Sequence, residues 1–181
     1  MVDAREHYVE GTLRDGRSIV IRATKADDRD RIRAAFSKLE RQTIYTRWFC
    51  YKKELSESEI EEITEPDFET MVALVATLLE DDEEVIIAGA RYMVYEGVHG
   101  IRAAEIAFTV EEEFQGHGLA SRLLAELAHI ARAKTIVRFE VEVLPKNKAM
   151  LRVFEKSGMP MTLSHEVTTH PLKLHRCGTR A

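Results

Sequence analysis

The sequence predicts an α/β sandwich of the α+β kind: a mixed, mostly antiparallel sheet flanked by helices, with one parallel βαβ crossover. Three observations carry this prediction. Residues 71–79 and 85–95 are β-rich runs parted by Glu80-Asp81-Asp82-Glu83-Glu84, the pattern of an antiparallel hairpin with an acidic turn. Over residues 102–144 a strand, a glycine-containing turn, an amphipathic helix and a second strand follow one another. That order predicts a right-handed crossover with parallel strands. No repeat, low-complexity tract or Pro/Gly-rich linker interrupts the chain, so a single domain is expected over residues 1–181, with its core at about 17–165 and a tail at about 170–181.

Each element has its own signal. Residues 17–23 alternate polar and apolar, with Ile19 and Ile21 on one face, and read as a strand. Asp27 and Asp28 are N-cap candidates for a helix running to about Leu39, with Ile32, Ala35, Phe36 and Leu39 on one side. Ser56 opens Ser-Glu-Ser-Glu, a capped helix start with Ile60 and Ile63 inward. The hairpin comes next, and residues 102–110 form another strand. The helix from Leu119 to about Lys134 repeats Leu119, Leu123, Leu127 and Ile130 at spacings of three and four. Residues 136–144 alternate and read as a strand. Residues 147–156 read as a helix carrying Met150, Leu151, Val153 and Phe154, with Gly158 placed to end it. A last strand is expected at 161–169. The order is thus strand, two helices, three strands, helix, strand, helix, strand, with Trp48 and Cys50 assigned to the core.

Composition narrows the functional classes. With 45% hydrophobic and 31% charged residues the chain is an ordinary globular one. Its apolar runs are too short to cross a bilayer, and its charged start lacks a signal-peptide core, so a cytoplasmic protein with no membrane partner is expected. Cys50 and Cys177 build neither a disulfide framework nor a zinc site, and His165, His170 and His175 are spaced by five, too irregular for a metal site on a helix. A net charge of −5 argues against a nucleic-acid partner.

The informative stretch is Val110-Glu111-Glu112-Glu113-Phe114-Gln115-Gly116-His117-Gly118-Leu119-Ala120-Ser121. A strand ends, a loop turns and a helix begins among the glycines. The first turn of a helix has unpaired N–H groups and a partial positive charge, a site for a pyrophosphate. Glycine lets the backbone approach an anion and permits the positive-φ turns that aim successive amides inward. The plainer alternative is that Gly116 and Gly118 only shape a tight turn. A dinucleotide site is a rival reading, since Gly116-x-Gly118-x-x-Ser121 nearly fits Gly-x-Gly-x-x-Gly/Ala and Glu140 or Glu142 stands where a ribose carboxylate is wanted. Against it, Glu111 to Gln115 separate strand from glycines, and too little chain follows for a doubly wound sheet.

Gln-x-x-Gly-x-Ala at 115–120 resembles the acyl-CoA signature Arg/Gln-x-x-Gly-x-Gly/Ala of the GNAT (general N-acetyltransferase) superfamily. Asn147 followed by Met150-Leu151, Phe154 and Gly158 is similar to that family's second motif. Element order agrees over about residues 17–165. Leu13-Arg14-Asp15-Gly16, Tyr45-x-Arg47-Trp48-Phe49 and Ala104-Glu105-Ile106-Ala107-Phe108 further resemble the acetyltransferase domain of bacterial protein lysine acetyltransferases. The resemblance implies an acyl-CoA-dependent N-acyltransferase with acetyl-CoA as cosubstrate. It implies cofactor contacts from Phe108, Thr109, Val110, Gln115, Gly116, His117, Gly118, Leu119, Ala120, Ser121 and Asn147. The acceptor is a primary amine, protein lysine or a small molecule, and a homodimer is one assembly considered.

The resemblance also implies that the strand ending at Val110 splays from the one starting near Ile136, so that pantetheine lies in the gap beside Phe108 and Val110. An N–H near Phe108 would polarise the thioester carbonyl. Glu105 is the candidate general base, a carboxylate in an otherwise small, apolar strand, expected to be partly buried and thereby suited to take a proton from an ammonium. An exposed strand carboxylate is its ordinary alternative. Two departures stand out: Phe154 occupies the position of a tyrosine that acts as general acid in many members, and His117 replaces a common arginine or lysine. A non-catalytic acyl-CoA-binding module is therefore the competing reading. Asn147 either bonds the pantetheine arm or caps its helix; Lys146, Lys148 and Arg152 are solvated or meet a 3′-phosphate. Glu111-Glu112-Glu113 and Asp81-Asp82-Glu83-Glu84 are expected as solvated loops, with an acidic rim for a cationic amine as the alternative. The resemblance implies that Tyr45 and Arg47 line an acceptor groove; without it Arg47 reads as surface and Tyr45 as core.

Overall fold

The computed structural model describes residues 3–96 and 102–160. Its strands are β1 (Tyr8–Thr12), β2 (Ser18–Ala23), β3 (Met71–Glu80), β4 (Glu83–Glu96), β5 (Arg102–Val110) and β6 (Arg138–Glu140). Its α-helices are α1 (Arg29–Lys38), α2 (Arg41–Trp48), α3 (Glu57–Thr64), α4 (Leu119–Ala133) and α5 (Lys148–Glu155). The sheet runs β1-β2-β3-β4-β5-β6 in sequence order, antiparallel throughout except for the parallel β5–β6 pair. The mixed sheet and its single parallel crossover are as predicted. The strand expected at 161–169, His165, His170, His175 and Cys177 lie outside the described residues.

Both faces of the sheet are covered, which explains why β3 shows no alternation: Met71 to Leu78 are all buried. Val72, Leu74, Ala76 and Leu78 join the core beneath α4, whereas Val75 joins the core beneath α1 and α3 with Ile32, Phe36 and Ile60. The β3–β4 hairpin turns on Asp81 and Asp82, at φ 49° and 67°, the pair of left-handed residues that a tight hairpin needs and that Asp tolerates. A bulge interrupts this pair, since Ala76 faces Ala88 while Thr77 faces Ile86. The extra residue, Ile87, lets Ile87 and Ala88 both enter the α4-side core. On α4, Leu119, Leu123, Leu127 and Ile130 are buried as their spacing predicted.

Three elements differ from expectation. β1 is an additional edge strand, and its residues are almost all exposed, so no alternating pattern announces it. The segment holding Tyr45 and Arg47 is a third helix on the α1 side, α2, with only Ile44 buried. The strand expected over 136–144 is only three residues long, and Glu142 lies beyond it. Trp48 is half-buried and packs against the α1-side core, with its ring centroid 5.4 Å from that of Phe36, and Cys50 is half-buried. Ser56 does form the expected capping box with Glu59. Asp28 stands at the start of α1 without capping it. Its side chain is 1% exposed, accepts two 2.8 Å hydrogen bonds from Arg22 and one from the Lys25 N–H, and joins Arg31 and, through Arg22, Glu84. This buried cluster ties β2 to α1 and β4. Among the described residues no helix is long and apolar enough to cross a membrane.

Leu127→Ala is expected to lower unfolding free energy by about 2–5 kcal/mol in urea titration, whereas Leu79→Ala, at a 70% exposed position, stays within about 0.5 kcal/mol. Burial alone would raise the Asp28 pKa, but hydrogen bonds from Arg22 and the Lys25 N–H, with the charges of Arg22 and Arg31, outweigh it and hold the carboxyl below its usual range. A depressed folded pKa stabilises above the unfolded value of about 3.9 and loses that contribution as pH falls through the lower folded value. Asp28→Ala should therefore cost about 3–5 kcal/mol near neutral pH, because it removes the bidentate partner of the buried Arg22 and leaves it Glu84 and the Ala23 carbonyl. It should also flatten the acid limb below about pH 5, measured as urea midpoint against pH.

Candidate active site

β5 pairs with β4 along its whole length, from Arg102 opposite Glu96 to Val110 opposite Ala88, but with β6 only from Ala103 to Glu105. The Arg102 carbonyl accepts from the Val137 N–H, while the Glu111 N–H donates to the Ile87 carbonyl. Backbone groups alternate sides along a strand, so those of Phe108 and Val110 point toward β6, past the last paired residue. A gap therefore opens beside the C-terminal half of β5. The Val110 carbonyl is taken by the Gln115 side-chain amide at 3.2 Å, which narrows the expected free set to Phe108 and the Val110 N–H. Thr109 turns the other way and lines a cavity on the α1 side, so it does not share the gap with Phe108.

Beyond Val110 a 3₁₀ turn (Glu112–Phe114) leads into the glycine loop. Phe114, 1% exposed, anchors it beneath the Arg17 guanidinium, 4.5 Å from the ring centroid. Gly116 and Gly118 have φ of 81° and 87°, a region that strains other residues. A Cβ at either would meet no protein atom within 4 Å. Gly118 is the N-cap of α4 and supplies no side-chain cap. Among the described residues, none accepts a hydrogen bond from the amides of Gly116, His117, Gly118, Leu119, Ala120 or Ser121. The end of a 15-residue helix is thus left with unpaired donors and its partial positive charge. The Leu119 side chain is buried, so only its backbone is available here.

Two cations of the β1–β2 hairpin, Arg14 and Arg17, touch this loop segment, and a third, Arg122, ties α4 back to that hairpin. Arg14 donates to the Gly116 carbonyl at 3.0 Å, Arg17 pairs with Asp15 and Glu113, and Arg122, on the first turn of α4, reaches the Thr12 carbonyl of β1. His117 Nδ1 lies 3.6 Å from Asp15. The only signal for Arg14 in the sequence was the Leu-Arg-Asp-Gly resemblance, and Arg122 carried none. Glu111 and Glu112 are not the solvated loop expected: both are half-buried, and one oxygen of Glu111 and both of Glu112 are buried without a hydrogen-bond partner. Burial first, then the carboxylates of Glu80, Glu113 and Glu112, push the Glu111 pKa up against the pull of Lys38.

Glu105, Ala107 and Thr109 share the face of β5 toward α2, as the alternation required, while Ala104 and Ile106 are buried on the other. Glu105 is exposed, not partly buried as expected. Next to it the half-buried Arg47 of α2 lies with its guanidinium 4.9 Å from the Trp48 ring centroid. Burial, then repulsion from Arg91, lowers the Arg47 pKa to about 10 despite attraction from Glu105, leaving it protonated at neutral pH. Asn147 caps α5, its side chain accepting from the Met150 N–H at 3.1 Å. Phe154 is buried, with its ring centroid 6.1 Å from that of Phe108. Lys146, Lys148 and Arg152 are exposed.

Residues 40–159 match the model of the acetyltransferase (GNAT) family. The chain is 32% identical over 129 residues to an acetyltransferase of Pseudomonas aeruginosa, covering 70% of this chain and 66% of that one. It is 30% identical over 146 residues to acetyltransferase Pat of Mycolicibacterium smegmatis, covering 81% of this chain and 42% of that one. The chain thus spans less than two thirds of the length of these curated relatives. The GNAT domain of S. lividans PAT superposes with a TM-score of 0.78 at 32% identity, over 88% of this chain and 92% of that one. Glycine loop, strand gap and sheet order agree with this kinship, and the chain belongs to the GNAT family of acetyltransferases.

Proposed function

We propose that the protein is an N-acyltransferase that moves an acetyl group from acetyl-CoA to a primary amine, with protein lysine as the preferred acceptor. The observation that carries this reading is the union of two features at one end of β5: unpaired amides opening α4, and a gap where β6 leaves the strand. The open space before Gly116 and Gly118 fits a pyrophosphate. Acetyl-CoA supplies a thioester whose carbonyl carbon accepts the amine nitrogen, the C–N bond forming as the C–S bond breaks and sulfur leaves with the electron pair.

The protein's own groups do the rest. Amides 116–121 hold the anion, with Arg14 adding positive potential beside Gly116. The Phe108 N–H faces the gap and serves as the donor to the developing oxyanion. Glu105, solvated at the edge of the α2 face, takes the amine proton directly or through one water. Holding amine and thioester together supplies much of the rate. Asn147 uses its carbonyl oxygen as a helix cap, which leaves its amide N–H groups for the pantetheine arm. Phe154 donates no proton to the leaving thiolate, which favours a second reading, a module that binds acyl-CoA without turnover.

Calorimetric titration is expected to show acetyl-CoA binding and no NAD binding. Gly118→Val, which forces a β-branched residue to φ 87°, should weaken acetyl-CoA by at least about tenfold, or about 1.4 kcal/mol; unchanged affinity would refute the cofactor assignment. Glu105→Gln should lower kcat/KM by about 10²–10⁴ with acetyl-CoA affinity changed by less than about threefold. Binding without Glu105-dependent thiol release, on an amine panel and on protein acceptors followed by mass spectrometry, would instead establish the second reading.

A further inference from the structure

On the α2 side of β5 lies a cavity of about 100 Å³, several times the roughly 10–15 Å³ that one water needs. Its walls are mainly apolar, from Phe36, Leu39, Trp48, Ile63 and Ala107 among others, and Arg47 stands in its lining. Arg22 is matched with Asp28, Arg29 with Glu65, Arg33 with Glu57 and Arg91 with Glu62. The exposed Arg41 and the half-buried Arg47 are not, and of these two Arg47 lines the cavity. No ion pair or hydrogen bond joins Arg47 to a described residue, and its contact is the face of Trp48.

The acidic groups around it are committed elsewhere. Glu62 holds Arg91 at 3.1 Å, and Glu59 holds Lys52 and caps α3. Glu111 lies at the far end of the cavity, facing Lys38 at 3.8 Å. Glu105 attracts Arg47 without pairing to it. The Arg47 guanidinium thus keeps donors that no described residue takes up, and a planar carboxylate is the ligand its fork fits best.

We propose that Arg47 is a specificity-determining residue that binds a carboxylate carried by the amine acceptor, so that acceptors are anionic amines with the carboxylate on Arg47 and the amine toward Glu105. This rests on the acetyl-transfer reading of the site. A free amino acid, or a lysine beside an acidic side chain, meets the requirement.

Trp48 is the sole tryptophan of the chain, and its contact with Arg47 makes its fluorescence a reporter that needs no turnover. The protein is titrated with β-alanine, 4-aminobutyrate and 6-aminohexanoate, and with ethylamine, n-propylamine and n-pentylamine as their carboxylate-free counterparts. At least one amino acid is expected to change Trp48 emission saturably, at least tenfold more tightly than its counterpart. Arg47→Gln should remove that preference and Arg47→Lys should restore part of it. With acetyl-CoA present, kcat/KM should follow the same order through KM. Equal responses to the paired ligands in the unaltered protein would overturn the proposal, a result that needs no variant to fold. So would a preference that survives Arg47→Gln, or an Arg47 dependence seen only with succinyl-CoA as donor, which would assign the carboxylate to the acyl group. Failure of the acetyl-transfer reading is distinct: the fluorescence preference would persist without thiol release.

Discussion

Everything at the site depends on β5 having a strand partner along one edge and losing it along the other. The β4 edge is paired from Arg102 to Val110 and prolonged by the Glu111–Ile87 bond, so the strand is rigid to its end. The β6 edge is paired for three residues. Backbone groups left unpaired inside a protein are costly, and a fold that leaves them so at a cleft keeps donors in place for something else to use. The nearby Val110 carbonyl shows the contrast, because there the chain supplies its own donor from Gln115. The same Gln115 amide reaches Thr43 on α2 at 3.4 Å, so one side chain closes the strand end, begins the glycine loop and touches the helix that covers the opposite face.

Charge is organised on the same plan. The chain is net acidic, at −5, yet Arg14 and Arg17 of the β1–β2 hairpin stand at the glycine loop and Arg122 of α4 reaches that hairpin. Gly11 permits part of this, since a Cβ there would sit 2.6 Å from the Arg122 guanidinium. On the other face, β2, α1 and β4 are locked by Arg22, Asp28, Arg31 and Glu84, a network whose donors and acceptors are mutually matched. Matched charges stabilise the scaffold that carries the site, and Arg17 is matched in the same way by Asp15 and Glu113; Arg47 has no acceptor among the described residues.

What the sequence disclosed, and what it hid, follows from how local each signal is. The glycine loop was legible because positive-φ geometry and a helix start are written in adjacent residues. The α4 stripe and the β3–β4 hairpin were legible because periodicity reports burial directly. β1 was not, since an exposed edge strand has no buried face to mark it. Nor was α2, whose Thr43, Ile44 and Thr46 are poor helix formers and which is held against β5 by tertiary packing. The alternation of Val137, Phe139, Val141 and Val143 predicted a long strand where three residues pair. Alternation records which side a residue faces, while pairing also needs a neighbour, and β5 diverges. Glu105 was placed on the right face and in the wrong environment, because coverage of that face is decided by residues about 60 positions earlier.

Phe154 gives the last step. Its ring meets that of Phe108 at an interplanar angle of 66°, and Phe108 is the residue whose N–H faces the strand gap. A hydroxyl on that ring would be a proton donor near the gap; the phenyl ring in its place is a wedge that packs α5 against β5. Phenylalanine therefore keeps the ring packing and, on the proposed chemistry, gives up a route for the proton that the departing sulfur collects. A thiolate tolerates that loss better than an alkoxide does, since a thiol near pKa 8.5 is already a fair leaving group close to neutral pH. On the proposed chemistry, the proton taken by Glu105 from the amine passes to solvent, which reaches the exposed carboxylate, and the two halves of the proton balance need no connection through the protein.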